Sequence, residues 1–388
     1  MHRRIFYFRT YDPPPQRAPY QTARAHQSYT YPNTAKTNQN SYMTKLLPAL
    51  LLAIGISASA AVTTKEVTIN NIIYELNSDG TATFVKDNNF RQFSALSSDT
   101  TYVFPSSVRY NARDYTITAL TPGCLYRWAC LPYELKERCG LRRVVLPSGL
   151  VEVPTGLFIN TTYDPHIGWE QAEIYSQLNT IVVPVGVQRI AARVTAGCKN
   201  MHTINLPEGL KEIEGRPFDN YGSQIHIAGI PKSLERLGDG ALSFCELPQT
   251  LTIPASLQLG YNVFGESTNL QEISFPGRTS IPAAVVYSAA DLTTVHLDPA
   301  TTTLGASAFA NCTKLTTMTG TDNLQHIGAS ALKGTKVFTT LLPSITTIDA
   351  RGFSETPLTS VNSTSLTKIG DFAFADCKDL KSVTLGGS

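Results

Sequence analysis

The sequence predicts a repeat solenoid in which each unit supplies a β-strand and a short helical or 3₁₀ turn, with a β-rich N-terminal cap. Two observations predict it: apolar anchors recur at a nearly constant period, and other residue types recur at fixed distances from each anchor. Such periods, roughly 20 to 50 residues, indicate stacked supersecondary units. We assign residues 61–114 to the cap and 115–388 to the repeats. A hydrophobic content of 42% and a charged content of 16% exclude a wholly disordered chain.

The first 60 residues contain an export signal behind a basic leader. The basic start Met43–Lys45 precedes the apolar run Leu46–Ile56 and an Ala-x-Ala pattern at Ala58–Ala60, which together predict a signal peptide over 43–60. The apolar run is too short to span a bilayer. Residues 1–42 are interpreted as an unstructured leader or as upstream sequence translated from an early start, and we favour the second. An uncleaved signal anchor with a basic cytoplasmic tail is the third interpretation.

The charge balance argues against a nucleic-acid partner. The formal net charge is +2, but residues 1–42 hold six Lys or Arg and one acid. Without them and Lys45, 25 basic and 29 acidic residues remain. A chain with this balance has no general attraction for a phosphate backbone. We therefore predict no nucleic-acid partner and, because no long apolar stretch occurs, no transmembrane span.

The segment before the repeats is predicted to form short strands. Val67–Leu76 partly alternates, Asn77–Gly80 is a turn signal, and Thr81–Val85 resumes strand character, which is a hairpin pattern. Tyr102–Pro105 and Val108–Leu120 predict further strands that lead into the first unit. A cap of this kind would protect a sheet edge that is otherwise exposed.

The repeat is defined by one apolar anchor per unit. Successive anchors are separated by 33, 37, 23, 24, 22, 22, 23, 23, 21 and 21 residues, so that about 11 units are predicted, two of them enlarged by insertions. The anchors are Leu120, Val153, Ile190, Ile213, Leu237, Leu259, Ile281, Leu304, Ile327, Ile348 and Ile369.

A bulky apolar residue and a small residue follow each anchor. Five residues after it stand Leu125, Phe158, Phe218, Leu242, Phe264, Val286, Phe309, Leu332, Phe353 and Phe374. Eight residues after it stand Cys198, Cys245, Cys312 and Cys377, or Thr161, Ser267, Ala289, Thr335 and Thr356. The segment between them, as in Ala308–Cys312 and Ala373–Cys377, is predicted to be a tight helical or 3₁₀ turn that drives one apolar side chain inward.

A Leu-x-x-(Val/Ile)-x-(Leu/Phe) step completes the unit and predicts a short strand. It occurs at Leu141–Leu146, Met201–Leu206, Leu270–Phe275, Leu292–Leu297 and Leu380–Leu385. Proline often follows, and it suits the corner where a strand leaves its ladder because it donates no backbone hydrogen bond. No unit can bury its apolar residues alone, so we expect isolated units not to fold.

The repeat resembles the BspA-type leucine-rich repeat. The resemblance covers about residues 115–388 and is clearest in IGDFAFADCKDLKSVTL (369–385) and LGASAFANCTKLTTM (304–318). Three positions depart from it: Thr195 occupies the aromatic position of its unit, and Trp128 and Tyr221 occupy the small-residue position of theirs. The resemblance implies a leucine-rich-repeat-like solenoid of a bacterial secreted or surface protein, with adhesion to host matrix proteins or to other cells. Extracellular or cell-surface localisation is expected, with the periplasm as an alternative.

No motif for catalysis, a cofactor or a metal was found. His-Glu-x-x-His, Gly-x-Ser-x-Gly and Cys-x-x-Cys are absent, and the register cysteines are interpreted as small buried groups. Cys124, Cys130 and Cys139 lie close in sequence, and a Cys130–Cys139 disulfide is plausible in an exported protein. A zinc site there lacks a fourth ligand. We therefore predict no catalytic residues, no metal ligands and no cofactor.

The insertion at residues 160–177 permits two interpretations. It contains Asp164, His166, Trp169, Glu170 and Glu173, which suit a metal- or sugar-binding loop, or paired carboxylates for acid–base hydrolysis. The simpler interpretation, which we favour, is a solvated surface loop.

The outward positions of the predicted strands are the candidate binding surface. They are mostly polar and form a long surface rich in hydroxyl and amide groups. Threonine is also common in strands because of its intrinsic β-propensity, independent of any binding role. The candidate binding residues are Arg142, Arg143, Asn179, Thr180, His202, Asn205, Gln271, Glu272, Thr293, His296 and Lys381.

These observations favour a non-enzymatic recognition or adhesion protein that binds a host or neighbouring-cell protein or glycan over the strand face. Two alternatives remain: a hydrolase of glycans or peptides that uses the 160–177 insertion, and a structural spacer that presents another domain. The sequence does not fix the oligomeric state.

Overall fold

The computed structural model describes residues 62–87, 101–124, 141–157, 178–195, 198, 200–218 and 224–386, which belong to one compact unit. The leader and signal segments, 1–42 and 43–60, lie outside the described residues. Within the described ranges the chain forms 25 β-strands joined by turns, and no helix. No described segment therefore forms a helix able to cross a bilayer.

Six strands precede the first full coil. They are β1 (Thr64–Ile69), β2 (Ile72–Asn77), β3 (Thr81–Asp87), β4 (Thr101–Val103), β5 (Ser107–Tyr110) and β6 (Arg113–Leu120). Five of them form one sheet in the order β1-β2-β3-β6-β5, whereas β4 pairs with a repeat strand. The apolar residues of this sheet continue into the core of the repeats.

Tight turns divide the early sequence more finely than its hydrophobic pattern predicts. The expected strand Val67–Leu76 is wrong as a single element, because Asn70 and Asn71 adopt φ values of 49° and 63° and turn β1 back onto β2. Paired positive φ values suit a two-residue hairpin turn, and asparagine tolerates them better than most residues. The turn signal at 77–80 is confirmed, since β2 and β3 pair antiparallel.

Each solenoid turn, here called a coil and named after its anchor, contributes strands to two faces. Face one contains β4, β7 (Arg143–Val145), β9 (Thr180–Val182), β11 (Thr203–Ile204), β14 (Thr250–Thr252), β16 (Glu272–Phe275), β18 (Thr294–Leu297), β20 (Thr317–Thr319), β23 (Ser360–Ser363) and β25 (Ser382–Leu385). Face two contains β8 (Glu152–Val153), β10 (Arg189–Ile190), β12 (Glu212–Ile213), β13 (Arg236–Leu237), β15 (Gln258–Leu259), β17 (Ser280–Ile281), β19 (Thr303–Leu304), β21 (His326–Ile327), β22 (Thr347–Ile348) and β24 (Lys368–Ile369).

Both faces are parallel sheets with a simple register. The anchors from Val153 onward end the two-residue strands of face two, and neighbouring anchors align, as Leu304 does with Ile327. The Leu-x-x-(Val/Ile)-x-(Leu/Phe) steps form face one, where Ile273 aligns with Val295. The predicted repeat period is therefore confirmed as the length of one coil.

The expected helical or 3₁₀ turn is wrong for the units whose turns the structure describes. At Ala308–Cys312 the chain forms consecutive turns, in which Ser307 and Asn311 adopt φ values of 56° and 62°. These left-handed residues direct alternate N–H groups toward the next coil instead of back along the chain. The Phe309 N–H, for example, donates to the Ala331 carbonyl at 3.0 Å. The segment thus forms a third inter-coil ladder, at the cost of helical hydrogen bonds. The Ala373–Cys377 segment has the same turns.

The core runs along the axis between the faces and these turns. Phe264, Phe309 and Phe353 are at most 1% exposed, and Phe374 in the last coil is partly buried. Cys198, Cys245 and Cys312 occupy buried positions, as predicted for small groups. Thr195, which replaces the aromatic residue in the Ile190 coil, is also fully buried.

Candidate functional site

The outward side of face one presents two rows of side chains that cross the coils. Strand alternation places every second residue outward, and parallel pairing aligns equivalent residues. The first row includes Thr101, Arg143, Thr180 and Thr203, and then Thr250, Glu272, Thr294 and Thr317. The second row includes Val103, Val145 and Val182, and then Thr252, Ser274, His296 and Thr319.

Four predicted binding residues lie together on β7 and β9 or immediately before them. Arg142, Arg143 and Asn179 are exposed and Thr180 is half-buried. The Thr180 hydroxyl donates to Asn179 Oδ1 at 2.9 Å. The Arg142 carbonyl accepts the N–H groups of Asn179 and Thr180, so the backbone beneath these side chains is fixed.

His202 and Asn205 lie in the next coil, and one of them has a structural role. His202 Nδ1 lies 3.3 Å from Thr203 Oγ1, at the exposed surface. Asn205 Oδ1 accepts the Val183 N–H at 2.8 Å, and Asn205 Nδ2 donates to the Val183 carbonyl at 2.7 Å. The Asn205 amide thus continues the ladder beyond the end of β11, which restricts its use in binding.

A second group of predicted residues lies three coils beyond His202 and Asn205. The Gln271 side chain is exposed, while its carbonyl accepts the N–H groups of Thr293 and Thr294. The Thr293 hydroxyl also donates to the Gln271 carbonyl, at 3.0 Å. Thr293 is therefore held by the preceding coil, and its hydroxyl is already satisfied.

Glu272 and His296 form a chain of polar contacts across three coils. His296 Nε2 lies 2.9 Å from Glu272 Oε1, and His296 Nδ1 lies 2.9 Å from Thr319 Oγ1. A carboxylate, an imidazole and a hydroxyl in this order resemble a hydrolytic triad by residue type. Here both imidazole nitrogens are used in contacts along the sheet, and the contacts link one coil to the next.

Lys381, the last predicted residue, is exposed in the Ile369 coil. The predicted residues therefore form three separate groups along one face and do not converge on one pocket. The outward valines of the second row are not among the predicted binding residues. Strand alternation could have identified them, because Val145 and Val182 each follow an outward polar residue by two positions.

Face two carries a network of ion pairs. The Arg189 guanidinium contacts the carboxylates of Glu152, Glu212 and Glu214, and Arg236 contacts Glu212. The hydrogen bond to Glu152 is the main reason that the pKa of Arg189 is raised. Much of the charge on face two is thus neutralised between neighbouring coils.

The buried cysteines Cys198 and Cys245 lack the surroundings of reactive thiols. Burial raises the pKa of Cys245 to about 12 and raises the pKa of Cys198 as well, so that both remain protonated at neutral pH. No group of three metal-ligating side chains occurs in the described part of the chain. The proposed Cys130–Cys139 disulfide and the 160–177 insertion lie outside the described residues.

A comparison with models of protein families identifies the repeat. A sequence profile for the BspA type leucine rich repeat region matches residues 172–284 and 279–388 in six copies, which together cover more than half of the chain. The search of curated proteins found no match.

Several solved structures are similar to this chain at low sequence identity. The pneumococcal vaccine antigen PcpA has a TM-score of 0.51 at 16% identity, over 84% of this chain and 88% of PcpA. A leucine rich cell surface protein of Faecalibacterium prausnitzii has a TM-score of 0.45 at 19% identity, over 84% and 96% of the two chains. A leucine-rich repeat protein of Bacteroides ovatus has a TM-score of 0.35 at 20% identity, over 82% and 94%. The likeness to PcpA establishes a shared fold and nothing about ligands.

Proposed function

Because the chain belongs to the BspA-type leucine-rich repeat family, we propose that it is a non-enzymatic recognition or adhesion protein. It binds a host or neighbouring-cell protein or glycan over the outward side of face one. The proposal extends to location: the signal pattern at 43–60 supports export, and the family supports a place outside the cell or on the bacterial surface.

The main support for this proposal is that the arginines of the two faces differ in their ion pairing. On face two, the guanidinium of Arg189 is shared among three carboxylates of neighbouring coils. On face one, Arg142, Arg143 and Gln271 are exposed, and the described residues provide no ion pair for either arginine. Extended solenoid sheets commonly serve as binding surfaces. Exposed side chains such as Arg142, Arg143 and Gln271 on or beside such a sheet suit recognition of a partner.

We further infer that the β1-β2-β3-β6-β5 sheet acts as the N-terminal cap. The Thr118 carbonyl accepts the Val151 N–H at 3.3 Å, and the Gly123 N–H donates to the Gly156 carbonyl at 3.0 Å. The first bond attaches the sheet, and the second the turn that follows β6, to the next coil. There the sheet covers apolar residues that a preceding coil would otherwise cover.

Catalysis is not part of the proposal. The buried cysteines are held as thiols, and Glu272, His296 and Thr319 use their polar atoms between coils. The carboxylates of the 160–177 insertion, on which a hydrolase would depend, lie outside the described residues. Nothing in the described part of the chain favours the hydrolase or the spacer alternative over recognition.

A matched pair of glutamines tests the proposal. Gln271 and Gln325 are both exposed, and each carbonyl accepts two N–H groups from the next coil, but Gln271 precedes a face-one strand and Gln325 a face-two strand. Binding of the full chain to arrays of matrix proteins and glycans should weaken for Gln271→Arg and persist for Gln325→Arg. Equal effects of both substitutions, or no binding by the wild type at micromolar concentration, would contradict the proposal.

A further inference from the structure

The N-terminal end of face one carries an outward apolar row. Val103, Val145 and Val182 lie in register on β4, β7 and β9. Val103 is 62% exposed, and the other two are partly exposed. Further along face one, the equivalent positions are Thr252, Ser274, His296 and Thr319. The apolar character is therefore confined to the first three strands of the face.

Two arginines border this row. Arg143 lies on the same outward side of β7, two residues before Val145, and Arg142 directly precedes that strand. Both are exposed, and neither is ion-paired within the described ranges. Arg189, by contrast, contacts three carboxylates on face two. The positive charge beside the valines is thus available to an external partner.

Apolar side chains beside arginine are typical of protein–protein contacts. Interface centres are depleted in most charged residues but enriched in arginine, and they exclude water around a few apolar contacts. The planar guanidinium binds carboxylates with two parallel hydrogen bonds. An acidic glycan supplies carboxylates but no aliphatic side chains to cover the valines. The one aromatic residue of these three strands, Tyr102, is buried and offers no outward stacking platform.

We propose that the patch of Val103, Val145, Val182, Arg142 and Arg143 binds a protein segment that carries aliphatic and acidic side chains. This inference rests on the proposed function, because it assigns a partner class to part of the same face. The segment places its aliphatic groups over the valine row and its carboxylates against the two guanidinium groups.

Four defined probes test the partner class on the full chain. They are extended peptides of equal length that alternate valine with aspartate, valine with lysine, or serine with aspartate, and an oligomer of galacturonic acid. The valine–aspartate peptide should bind at least about tenfold more tightly than each of the others, because only it satisfies both the apolar row and the arginines. Equal or tighter binding of the oligogalacturonate or of the serine–aspartate peptide would overturn the inference.

Two substitutions separate the contribution of the arginines to peptide binding from that of the valines. Arg143→Glu should weaken valine–aspartate binding by about tenfold or more and shift the preference toward the valine–lysine peptide. Val145→Thr keeps a branched side chain and should remove the preference for valine over serine. Lys232→Glu, at an exposed lysine away from the patch, is the charge-matched control and should leave all four affinities unchanged. An unchanged affinity in Arg143→Glu would contradict the proposal.

The alternative occupant of the valine row is a segment of this chain itself, and tryptophan fluorescence tests for it. The two tryptophans, Trp128 and Trp169, both fall in the enlarged units, in the segments that precede β7 and β9. If Val145→Lys shifts tryptophan emission without any peptide, an inserted segment covers the row and the inference is overturned.

One further result separates the inference from the proposed function. If the chain binds a matrix protein or glycan, and Gln271→Arg weakens that binding but Arg143→Glu does not, the inference fails while the proposed function stands.

Discussion

The small-residue position is used for hydrogen bonding as well as packing in several coils. The Thr335 and Thr356 hydroxyls donate to carbonyls three residues earlier in their own coils, at 2.8 and 2.7 Å. Cys312 Sγ and Cys377 Sγ instead lie 2.9 and 3.0 Å from carbonyls of the preceding coil. Threonine, serine and cysteine therefore exchange at this position because each is small and can donate a hydrogen bond.

Substitutions at Thr335 should separate packing from hydrogen bonding. Thr335→Val keeps the shape but removes the fully buried hydroxyl and its bond to the Leu332 carbonyl, so we expect a loss of about 1–2 kcal/mol in the free energy of unfolding. Thr335→Cys, which imitates Cys312, should cost less than about 1 kcal/mol. Urea denaturation followed by circular dichroism measures both, and a larger loss for cysteine than for valine would contradict this account.

Close approach between coils should make one glycine far less replaceable than another. Gly320 and Gly334 have similar φ values of 70° and 72°. A Cβ on Gly320 would lie 2.2 Å from the Leu297 carbonyl oxygen, whereas a Cβ on Gly334 would meet nothing nearer than 3.6 Å. Left-handed backbone alone costs alanine about 1–2 kcal/mol. In the same denaturation experiment, Gly334→Ala should lower the free energy of unfolding by about that amount, and Gly320→Ala should lower it clearly more. Equal losses of free energy in the two variants would contradict the close contact at Gly320.

At the scale of the element, the strands could be predicted and the turns could not. Anchors and Leu-x-x-(Val/Ile)-x-(Leu/Phe) steps reveal strands because burial on one side imposes a simple alternation. The Ala308–Cys312 segment looks helical because alanine and phenylalanine are spaced as in a helical turn. Its conformation depends instead on left-handed residues such as Ser307 and Asn311, which a ladder to the next coil stabilises. That ladder exists only after stacking, so local propensity does not reveal it.

The candidate site shows the same limit. Outward polar positions follow from strand alternation, and all the predicted binding residues do lie on or beside face one. What alternation cannot show is which of them the solenoid itself uses. Asn205 and Thr293 bind backbone groups of the preceding coil, and His296 joins the coils on either side of its own. Their partners lie more than 20 residues away, where a single sequence gives no sign of the pairing.

The ion pairs between neighbouring strands should make stability depend on acid pH. Hydrogen bonds from Lys368 and then His326 hold the pKa of Asp349 below its usual value of 3.8. Because the folded-state pKa is depressed, the stabilisation is fully present above pH 3.8 and is lost as the pH falls through the folded-state value. Asp349 is partly exposed, so its contribution should not exceed about 1 kcal/mol.

Asp349→Asn should therefore be less stable than the wild type near neutral pH, and the difference should narrow as the pH falls below 3.8. Denaturant unfolding across that range measures the difference in the free energy of unfolding. In a Lys368→Met background, the effect of Asp349→Asn should shrink, because the largest cause of the depressed pKa is gone. A difference that stays constant with pH would rule out this linkage.

For the molecule as a whole, continuity between coils is maintained by two faces whose interruptions do not coincide. Face two is interrupted between β15 and β17, but there β16 and β18 pair on face one. Face one is reduced to an isolated bridge between His226 and Glu246, but there β12 and β13 pair on face two. At each of these boundaries one ladder bridges the gap in the other. A repeat protein with this arrangement should unfold more cooperatively than one whose gaps coincide.

Arg278 reinforces the boundary where face two is interrupted. Its Nη2 donates to the Pro254 carbonyl at 2.9 Å and also to the Leu257 carbonyl, and burial lowers the pKa of the guanidinium. The side chain thus supplies the preceding coil with hydrogen bonds where no face-two ladder forms. A charged donor is well suited to this position, because hydrogen bonds from charged groups are the stronger ones.

Arg278→Gln should cost about 1–3 kcal/mol in the free energy of unfolding, because the two carbonyls lose a charged donor in a partly buried place. Amide hydrogen exchange should quicken on both sides of the β15–β17 boundary more than elsewhere, since the remaining connection there is through face one and the turns. Arg236→Gln is the matched control: that side chain is 53% exposed and pairs with Glu212, so its loss should cost less than about 1 kcal/mol. If exchange quickens evenly along the whole solenoid, the boundary has no special weakness, and Arg278 is only one of many equivalent contacts between coils.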